Sequence, residues 1–157
     1  MRDEAWFDQL YHDHATAVYR YFLRRAPGGD AEDLTAEVLA TAWRRRADVP
    51  AEAVLPWLYR TAGYVLANHR RKVVPVPVAT VPDAPTDDGD PLLAALADDD
   101  ARTALAALTE RDRQILVLHA WEGLSGVELA EVLGISRGGA DAALSRARSR
   151  LAAAWPD

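Results

Sequence analysis

Residues 126–137 read Gly-Val-Glu-Leu-Ala-Glu-Val-Leu-Gly-Ile-Ser-Arg, and this stretch decides the fold of the C-terminal part of the chain. Its pattern predicts a short helix, a turn at a glycine and a second helix capped by a serine, which is the helix-turn-helix layout. Ala130 is small where two helices cross closely, and Gly134 supplies the positive φ that the turn requires. Ile135 is predicted to fill the angle between the helices, and Ser136 to cap the second helix. A packing core of three helices is the alternative for this pattern.

The residues before this stretch have helical spacing as well. Thr109 and the acidic residues after it are typical of a capped helix start, and the helix that follows is expected to stop at Gly123. Ser125, with Glu128 three residues later, predicts a capping box at the next helix. One leading helix is predicted from leucines at helical spacing, namely Leu92, Leu93, Leu96, Leu105 and Leu108.

Residues 1–72 carry apolar residues at intervals of three and four, which predicts helices. The first helix is expected to end at residues 27–29, Pro-Gly-Gly, and Asp30 is predicted to be the N-cap of the second. Pro56 suits the first turn of a third helix, which ends in the basic run of residues 70–72. The fold class is therefore all-α, with an N-terminal domain of three to four helices and a C-terminal helix-turn-helix domain.

The chain has 157 residues and a formal net charge of −6, and the acidic excess lies in its middle. Residues 73–101 contain seven acidic residues and no basic one, whereas residues 1–72 and 102–157 have net charges of +1 and 0. A net negative charge disfavours unaided binding to nucleic acid. Since the excess is confined to one segment, the two flanking blocks remain compatible with DNA contact.

Prolines mark the connection between the two domains. Five of the nine prolines lie within residues 75–91, and proline disfavours both helices and central strands. The predicted organisation is a domain at 1–72, a flexible acidic linker at 73–91 and a second domain at 92–157. An alternative for residues 73–81 is an extended segment on a domain surface.

Several protein classes are excluded by composition and motif content. The absence of cysteine excludes disulfides and thiolate metal sites. No run approaches the roughly 18 apolar residues of a membrane span, and the N-terminus lacks an apolar signal core, so a cytoplasmic chain without membrane insertion is expected. His12 and His14 point in different directions on a helix and do not share a metal simply. No phosphate loop or nucleophile elbow is present, so neither an enzyme nor a cofactor is expected.

Two groups of residues resemble the extracytoplasmic-function sigma factors of bacterial RNA polymerase. The first runs from Asp30 to Arg44, followed by Trp57-Leu58-Tyr59-Arg60 and Arg70-Arg71, and is similar to the N-terminal domain of that family. The second runs from Leu108 to Arg148 and is similar to its C-terminal domain. The two groups in this order, across a proline-rich linker, cover nearly the whole chain and are highly specific for the family.

The resemblance implies that the N-terminal domain binds core RNA polymerase. Acidic side chains suit a partner surface rich in arginine, although residues near a helix start also stabilise its positive end without any partner. That second explanation applies to Asp30, Glu32 and Asp33. The polymerase-binding residues implied by the resemblance are Asp30, Glu32, Asp33, Leu34 and Glu37.

The resemblance also implies that this domain melts the minus-ten promoter element. An unstacked base would be captured by aromatic stacking, while cations hold the strand backbone. Trp57 is as well explained by core packing. The family often has Asn at the position of Tyr64 and Asp at that of Asn68, so the identity of the captured base stays open. The candidate residues are Arg46, Trp57, Arg60, Tyr64, Asn68, Arg70 and Arg71.

The C-terminal helix-turn-helix would read the minus-thirty-five element in the major groove. The family pattern after the serine cap is commonly Gly-Thr-Val-Lys-Ser-Arg, and this chain has Asp141 in place of the lysine and Ala143 in place of the arginine. We therefore expect a weaker contact or a shifted sequence preference. Arg150 is a further candidate for phosphate contact. The residues implied are Ser136, Arg137, Gly138, Asp141, Ala142, Arg146 and Arg148.

The function implied is that of a sigma factor that binds core polymerase and directs promoter recognition, DNA melting and initiation. Its expected partners are core RNA polymerase, promoter DNA and an anti-sigma factor. The alternative is a sigma-like, polymerase-binding or regulatory protein whose degenerate recognition helix does not support initiation. An ordinary helix-turn-helix repressor would leave the first block unexplained.

Overall fold

The protein folds into helices that divide between two compact units, Met1–Pro77 and Val78–Asp157. The computed structural model describes residues 1–26, 29–73, 91–94 and 96–157, which contain eight helices and no strand. The helices are α1 (Glu4–Arg25), α2 (Ala31–Arg44), α3 (Val54–Val73), α4 (Pro91–Ala94), α5 (Asp99–Ala106), α6 (Glu110–Ala120), α7 (Gly126–Leu133) and α8 (Arg137–Ala154). The all-α prediction is confirmed.

The first unit is a three-helix arrangement in which α1, α2 and α3 each pack against the other two. Its core includes the fully buried Val18, Phe22, Val38 and Leu58. Val49, in the connection between α2 and α3, is also buried, so this connection is anchored by an apolar side chain. Pro56 lies in the first turn of α3, as predicted.

The second unit is built around α8, which packs against α5, α6 and α7. Its core includes Ile115, Leu118, Leu124 and Leu129, each at most 1% exposed. Thr109 caps α6 as predicted, because its Oγ1 accepts a hydrogen bond from the amide of Asp112 at 3.2 Å. That helix ends at Ala120, three residues before the predicted stop.

The prediction of one leading helix in this unit is wrong. Two short helices, α4 and α5, stand in its place. The Asp98 side chain accepts hydrogen bonds from the amides of Asp100 and Ala101, at 2.9 and 3.1 Å, and so begins α5 anew. The aspartate run at residues 98–100 therefore marks a helix start within the leucine pattern.

Asp30 and Ser125 lie at the predicted N-cap positions, but neither side chain caps its helix. Asp30 precedes α2, but its side chain accepts no amide hydrogen bond there and instead lies 3.0 Å from His69 Nε2 on α3. Ser125 precedes α7 with no side-chain cap, so the predicted capping box with Glu128 does not form. A tertiary partner has replaced local capping at Asp30.

The predicted domain boundaries, 1–72, 73–91 and 92–157, remain predictions, because residues 74–90 lie outside the described residues. From residue 74 onward, the extended alternative for residues 73–81 lies outside them as well, and so do Pro27 and Gly28 of the predicted end of the first helix. Among the described residues, no helix is both long and apolar enough to cross a membrane.

Candidate functional site

One exposed stripe on α3 carries four of the predicted minus-ten residues. Arg60, Tyr64, Asn68 and Arg71 are all exposed and follow one another at intervals of three and four; we call them the α3 stripe. Arg60 Nε lies 3.4 Å from Tyr64 Oη, and Arg71 Nη2 donates to Asn68 Oδ1 at 2.7 Å. The stripe thus presents one aromatic ring, 61% exposed, between two guanidinium groups.

The remaining predicted minus-ten residues lie elsewhere. Trp57 is 8% exposed, and the Arg45 guanidinium lies 5.8 Å from its ring centroid. Arg46 stacks on Trp43 at 4.1 Å from the ring centroid and donates to the Trp43 carbonyl. Arg70 donates to the Arg25 carbonyl at 3.2 Å. The geometry therefore favours core packing over base stacking for Trp57, the alternative that the sequence left open.

A second surface is formed by acidic residues on α2. Glu32, Asp33 and Glu37 are exposed on its outer side, and among the described residues these three carboxylates form no ion pair; we call them the α2 acidic face. Glu32 and Asp33 lie in the first turn, where the helix end itself favours negative charge. Glu37 lies beyond that turn, so the positive end of the helix does not explain a negative charge at this position.

Two residues predicted to share this surface differ from the others. Leu34 is 3% exposed and packs in the core, so its side chain does not contribute to the surface that α2 presents. Asp30 is bound to His69, and the two side chains are 44% and 22% exposed. This pair joins the start of α2 to the C-terminal half of α3.

Beside the α2 acidic face runs an open groove of about 750 Å³ between α1 and α2. Its lining includes Tyr11, Tyr19, Glu32 and Leu39. Sequence reasoning missed this groove, because a tyrosine at helical spacing suits a buried helix face, whereas Tyr11 is 55% exposed. The spacing of four residues between Tyr11, Ala15 and Tyr19 is the signal that could have found it.

The neighbouring His12-Asp13-His14 segment gives no indication of a metal site. Burial lowers the pKa of His14, and the Asp13 carboxylate partly opposes that effect. In the part of the chain that the structure describes, no group of three or more suitable side chains could hold a metal ion.

The helix-turn-helix of the second unit has the predicted geometry. Gly134 ends α7 with φ +68°, the left-handed conformation that glycine adopts readily. Ser136 Oγ accepts a hydrogen bond from the amide of Gly139 at 3.0 Å and so caps α8. Ala130 is buried, and Ile135 is half-buried beside Gly139.

The outer side of α8 carries the predicted minus-thirty-five residues from Arg137 onward. Arg137 Nε lies 4.0 Å from Asp141 Oδ2, and both side chains are more than half exposed. The opposite side of the helix is buried and includes Ala143, which stands where the family commonly has arginine. Six of the predicted residues lie on α8, and all six are exposed, namely Arg137, Gly138, Asp141, Ala142, Arg146 and Arg148.

Two arginines farther along α8 bind groups within the unit. Arg148 Nη2 lies 2.6 Å from His119 Nε2, and His119 Nδ1 lies 2.8 Å from the Leu124 carbonyl. Both bonds form when the neutral ring donates from Nδ1 and accepts at Nε2. Arg150 Nη1 binds both oxygens of the buried Asp112 carboxylate, at 2.9 and 3.1 Å. These contacts fix α8 against α6. Of the four arginines of α8, Arg137 and Arg146 are therefore the less constrained by contacts within the unit.

The two glycines at the start of α8 are predicted to respond differently to alanine. A Cβ at Gly138 meets nothing within 4 Å, whereas one at Gly139 lies 3.1 Å from Ser136 Oγ. We expect Gly138→Ala to stabilise the unit by about 0.5 kcal/mol through helix propensity. Gly139→Ala is expected to destabilise it by about 1 kcal/mol, because the serine cap is displaced. Urea unfolding followed by circular dichroism measures both, and equal shifts would contradict the assignment.

Comparison with protein families places the two units in one superfamily. The family model described as Sigma-70 region 2 matches residues 10–74, and the one described as Sigma-70, region 4 matches residues 98–151. Together the two matches cover more than half of the chain, and each falls within one compact unit.

Curated relatives agree with these matches. The ECF RNA polymerase sigma factor SigF of Caulobacter vibrioides is 37% identical, over 89% of this chain and 87% of the relative. The ECF RNA polymerase sigma factor ShbA of Streptomyces griseus is 36% identical, over 96% of this chain and 87% of the relative. Among solved structures, the chain is similar to the sigma factor RpoE from Bartonella quintana, which was solved in complex with the anti-sigma factor NepR. The two superimpose with a TM-score of 0.61 at 24% sequence identity, and the match covers 92% of this chain and 93% of that chain. This structural likeness shows the fold.

Proposed function

Because the chain belongs to the extracytoplasmic-function sigma factors of RNA polymerase, we propose that it binds core RNA polymerase and directs promoter recognition, DNA melting and initiation with the surfaces described above. Members of this family are transcription initiation factors and not enzymes. The observation that carries the proposal is the match of one family region to each compact unit. The expected location is the cytoplasm, where the polymerase acts.

The proposed polymerase-binding surface is the α2 acidic face together with the groove beside it. Three exposed carboxylates without ion-pair partners among the described residues suit an arginine-rich partner. Tyr11 and Tyr19 line the groove and offer aromatic area next to that charge. Asp30 and Leu34 have positioning roles: the first holds α3 through His69, and the second anchors α2 in the core.

The proposed minus-ten surface is the α3 stripe. Tyr64 is its exposed aromatic ring and offers a stacking platform for an unstacked base. Arg60 and Arg71 flank the ring on the same stripe and provide cations for the strand backbone. Trp57 holds the start of α3 in the core beneath the stripe, and in this proposal it does not stack on DNA.

The proposed minus-thirty-five surface is the outer side of α8. Ser136 fixes the helix start, and the exposed Arg137 and Arg146 supply phosphate contacts. Arg148 positions the helix through His119. An anti-sigma factor is a further proposed partner, and the relative from Bartonella quintana was solved with one.

Transcription from a reconstituted holoenzyme tests the proposal. We expect core polymerase with this chain to start transcripts at defined positions on fragmented DNA from the source genome, and core polymerase alone to start none there. Mapping of transcript 5′ ends gives the start positions. Stable binding to core polymerase without initiation would instead support the alternative, a regulator with a degenerate recognition helix.

A further inference from the structure

The outer side of α8 combines a carboxylate with unusually short neighbours. In its first two turns the exposed residues are Arg137, Gly138, Asp141 and Ala142, and of these only Arg137 has a long side chain. Gly138 meets no atom within 4 Å of its Cβ position, so the fold of the unit does not require a glycine there. Short side chains around a short carboxylate allow the helix to come close to the floor of a groove, which an aspartate needs if it is to reach a base edge.

Asp141 is also free to turn toward a ligand. Within the described part of the chain its ion-pair partner is Arg137, whose Nε lies at 4.0 Å, the limit of such a contact, and the two side chains are 58% and 70% exposed. Exposed pairs of this kind hold their side chains weakly. Arg137 also lies over Gly126 at the start of α7, 3.5 Å from the position of a Cβ there. Because Arg137 lies one helical turn before Asp141, its positive charge reduces the repulsion between that carboxylate and DNA phosphates.

We propose that Asp141 is a specificity-determining residue that selects cytosine in the minus-thirty-five element by accepting a hydrogen bond from its N4 amino group. A carboxylate only accepts hydrogen bonds, and the major-groove edges of guanine and thymine present acceptors that repel it. Adenine presents an amino group beside the N7 acceptor, whereas cytosine presents its amino group without an acceptor of its own. The inference rests on the proposed function, since it needs α8 to lie in the major groove.

The test is a selection of promoter duplexes by the reconstituted holoenzyme. The duplexes keep a fixed minus-ten element from a mapped start and are randomised upstream. Wild-type holoenzyme is expected to enrich cytosine at one position by about tenfold over the other bases. Asp141→Asn keeps the shape but both accepts and donates, and it is expected to change the preference at that position to adenine. Asp141→Ala is expected to remove the preference there, and the exposed Asp100→Asn on α5 serves as a control that leaves it unchanged.

The outcomes separate this inference from the proposed function. Wild-type holoenzyme that initiates but selects the same bases as Asp141→Asn overturns the role of Asp141 and leaves the proposed function standing. Enrichment of guanine or thymine at the Asp141-dependent position, or initiation without any upstream preference, also overturns it. Wild-type holoenzyme that starts no transcript overturns the proposed function and this inference together. Circular dichroism of the Asp141→Asn and Asp141→Ala variants checks that these substitutions at an exposed position leave the helices intact.

Discussion

Phe22→Ala is expected to lower the free energy of unfolding of the first unit by about 3–5 kcal/mol. The Phe22 side chain is fully buried and packs edge-on against Tyr21, with ring centroids 5.3 Å apart. Its truncation removes apolar contact and leaves a cavity where α1 meets the other helices of the unit. Since small domains are stable by only about 5–15 kcal/mol, the variant is expected to populate unfolded forms of α1–α3 measurably. Amide hydrogen exchange of the full chain, followed peptide by peptide, measures the loss.

The neighbouring residue provides the control for this prediction. Leu23 is 51% exposed, and Leu23→Ala is expected to change protection in α1–α3 by no more than about 0.5 kcal/mol. The two substitutions remove apolar side chains from adjacent positions of one helix, so helix propensity contributes little to the difference between them. Similar losses of protection in both variants would contradict the burial pattern of α1.

The parts of this structure that sequence predicts well are those fixed by local chemistry. Gly134 was predicted from its position between two helical patterns, and its φ of +68° follows from the freedom of a residue without Cβ. Ser136 and Thr109 were predicted as caps, and both side chains accept the amide three residues on. Such features depend on a few neighbouring residues, so their sequence pattern determines them.

Two side chains that the sequence placed in local or surface roles have a distant partner in the structure. Asp30 has the residue type and position of a cap, yet its carboxylate lies 3.0 Å from His69, 39 residues later. Arg150 was a further candidate for phosphate contact, and in the free chain it binds the buried carboxylate of Asp112, 38 residues before it. Sequence spacing carries no information on which helices pack together, so it could not assign either pair.

The sequence indicated candidate residues that share one helix, but it could not indicate a surface that needs two helices to pack together. The resemblance implied Arg60, Tyr64 and Asn68 together, and helical spacing is consistent with all three lying on one side of one helix. The groove between α1 and α2 needed the packing of two helices and was missed. Trp57 could not be assigned to core or surface by residue type, since an aromatic ring suits both, and its burial became evident only from the packing of α3.

Glu37→Lys is expected to weaken binding to core RNA polymerase by at least about tenfold without destabilising the chain. Glu37 is exposed, lies beyond the first turn of α2 and has no ion-pair partner among the described residues. In the free chain, Asp33 and Glu37 are like charges four residues apart, which disfavours the helix slightly. A lysine at position 37 converts this repulsion into a favourable pair with Asp33, so α2 is expected to gain a few tenths of a kcal/mol.

Glu37→Lys is thus expected to lower the affinity for core polymerase while slightly raising the stability of α2. A residue with a purely structural role would not show both changes. Affinity for core polymerase is measured by fluorescence anisotropy of the labelled full chain, and stability by thermal unfolding of the same samples. Asp13→Lys makes the same charge change at an exposed position of α1 in the same unit and is expected to leave the affinity within about twofold. If Glu37→Lys bound as tightly as the wild type, the α2 acidic face would not lie in the polymerase interface. If the two lysine variants lost affinity equally, net charge and not this face would determine binding.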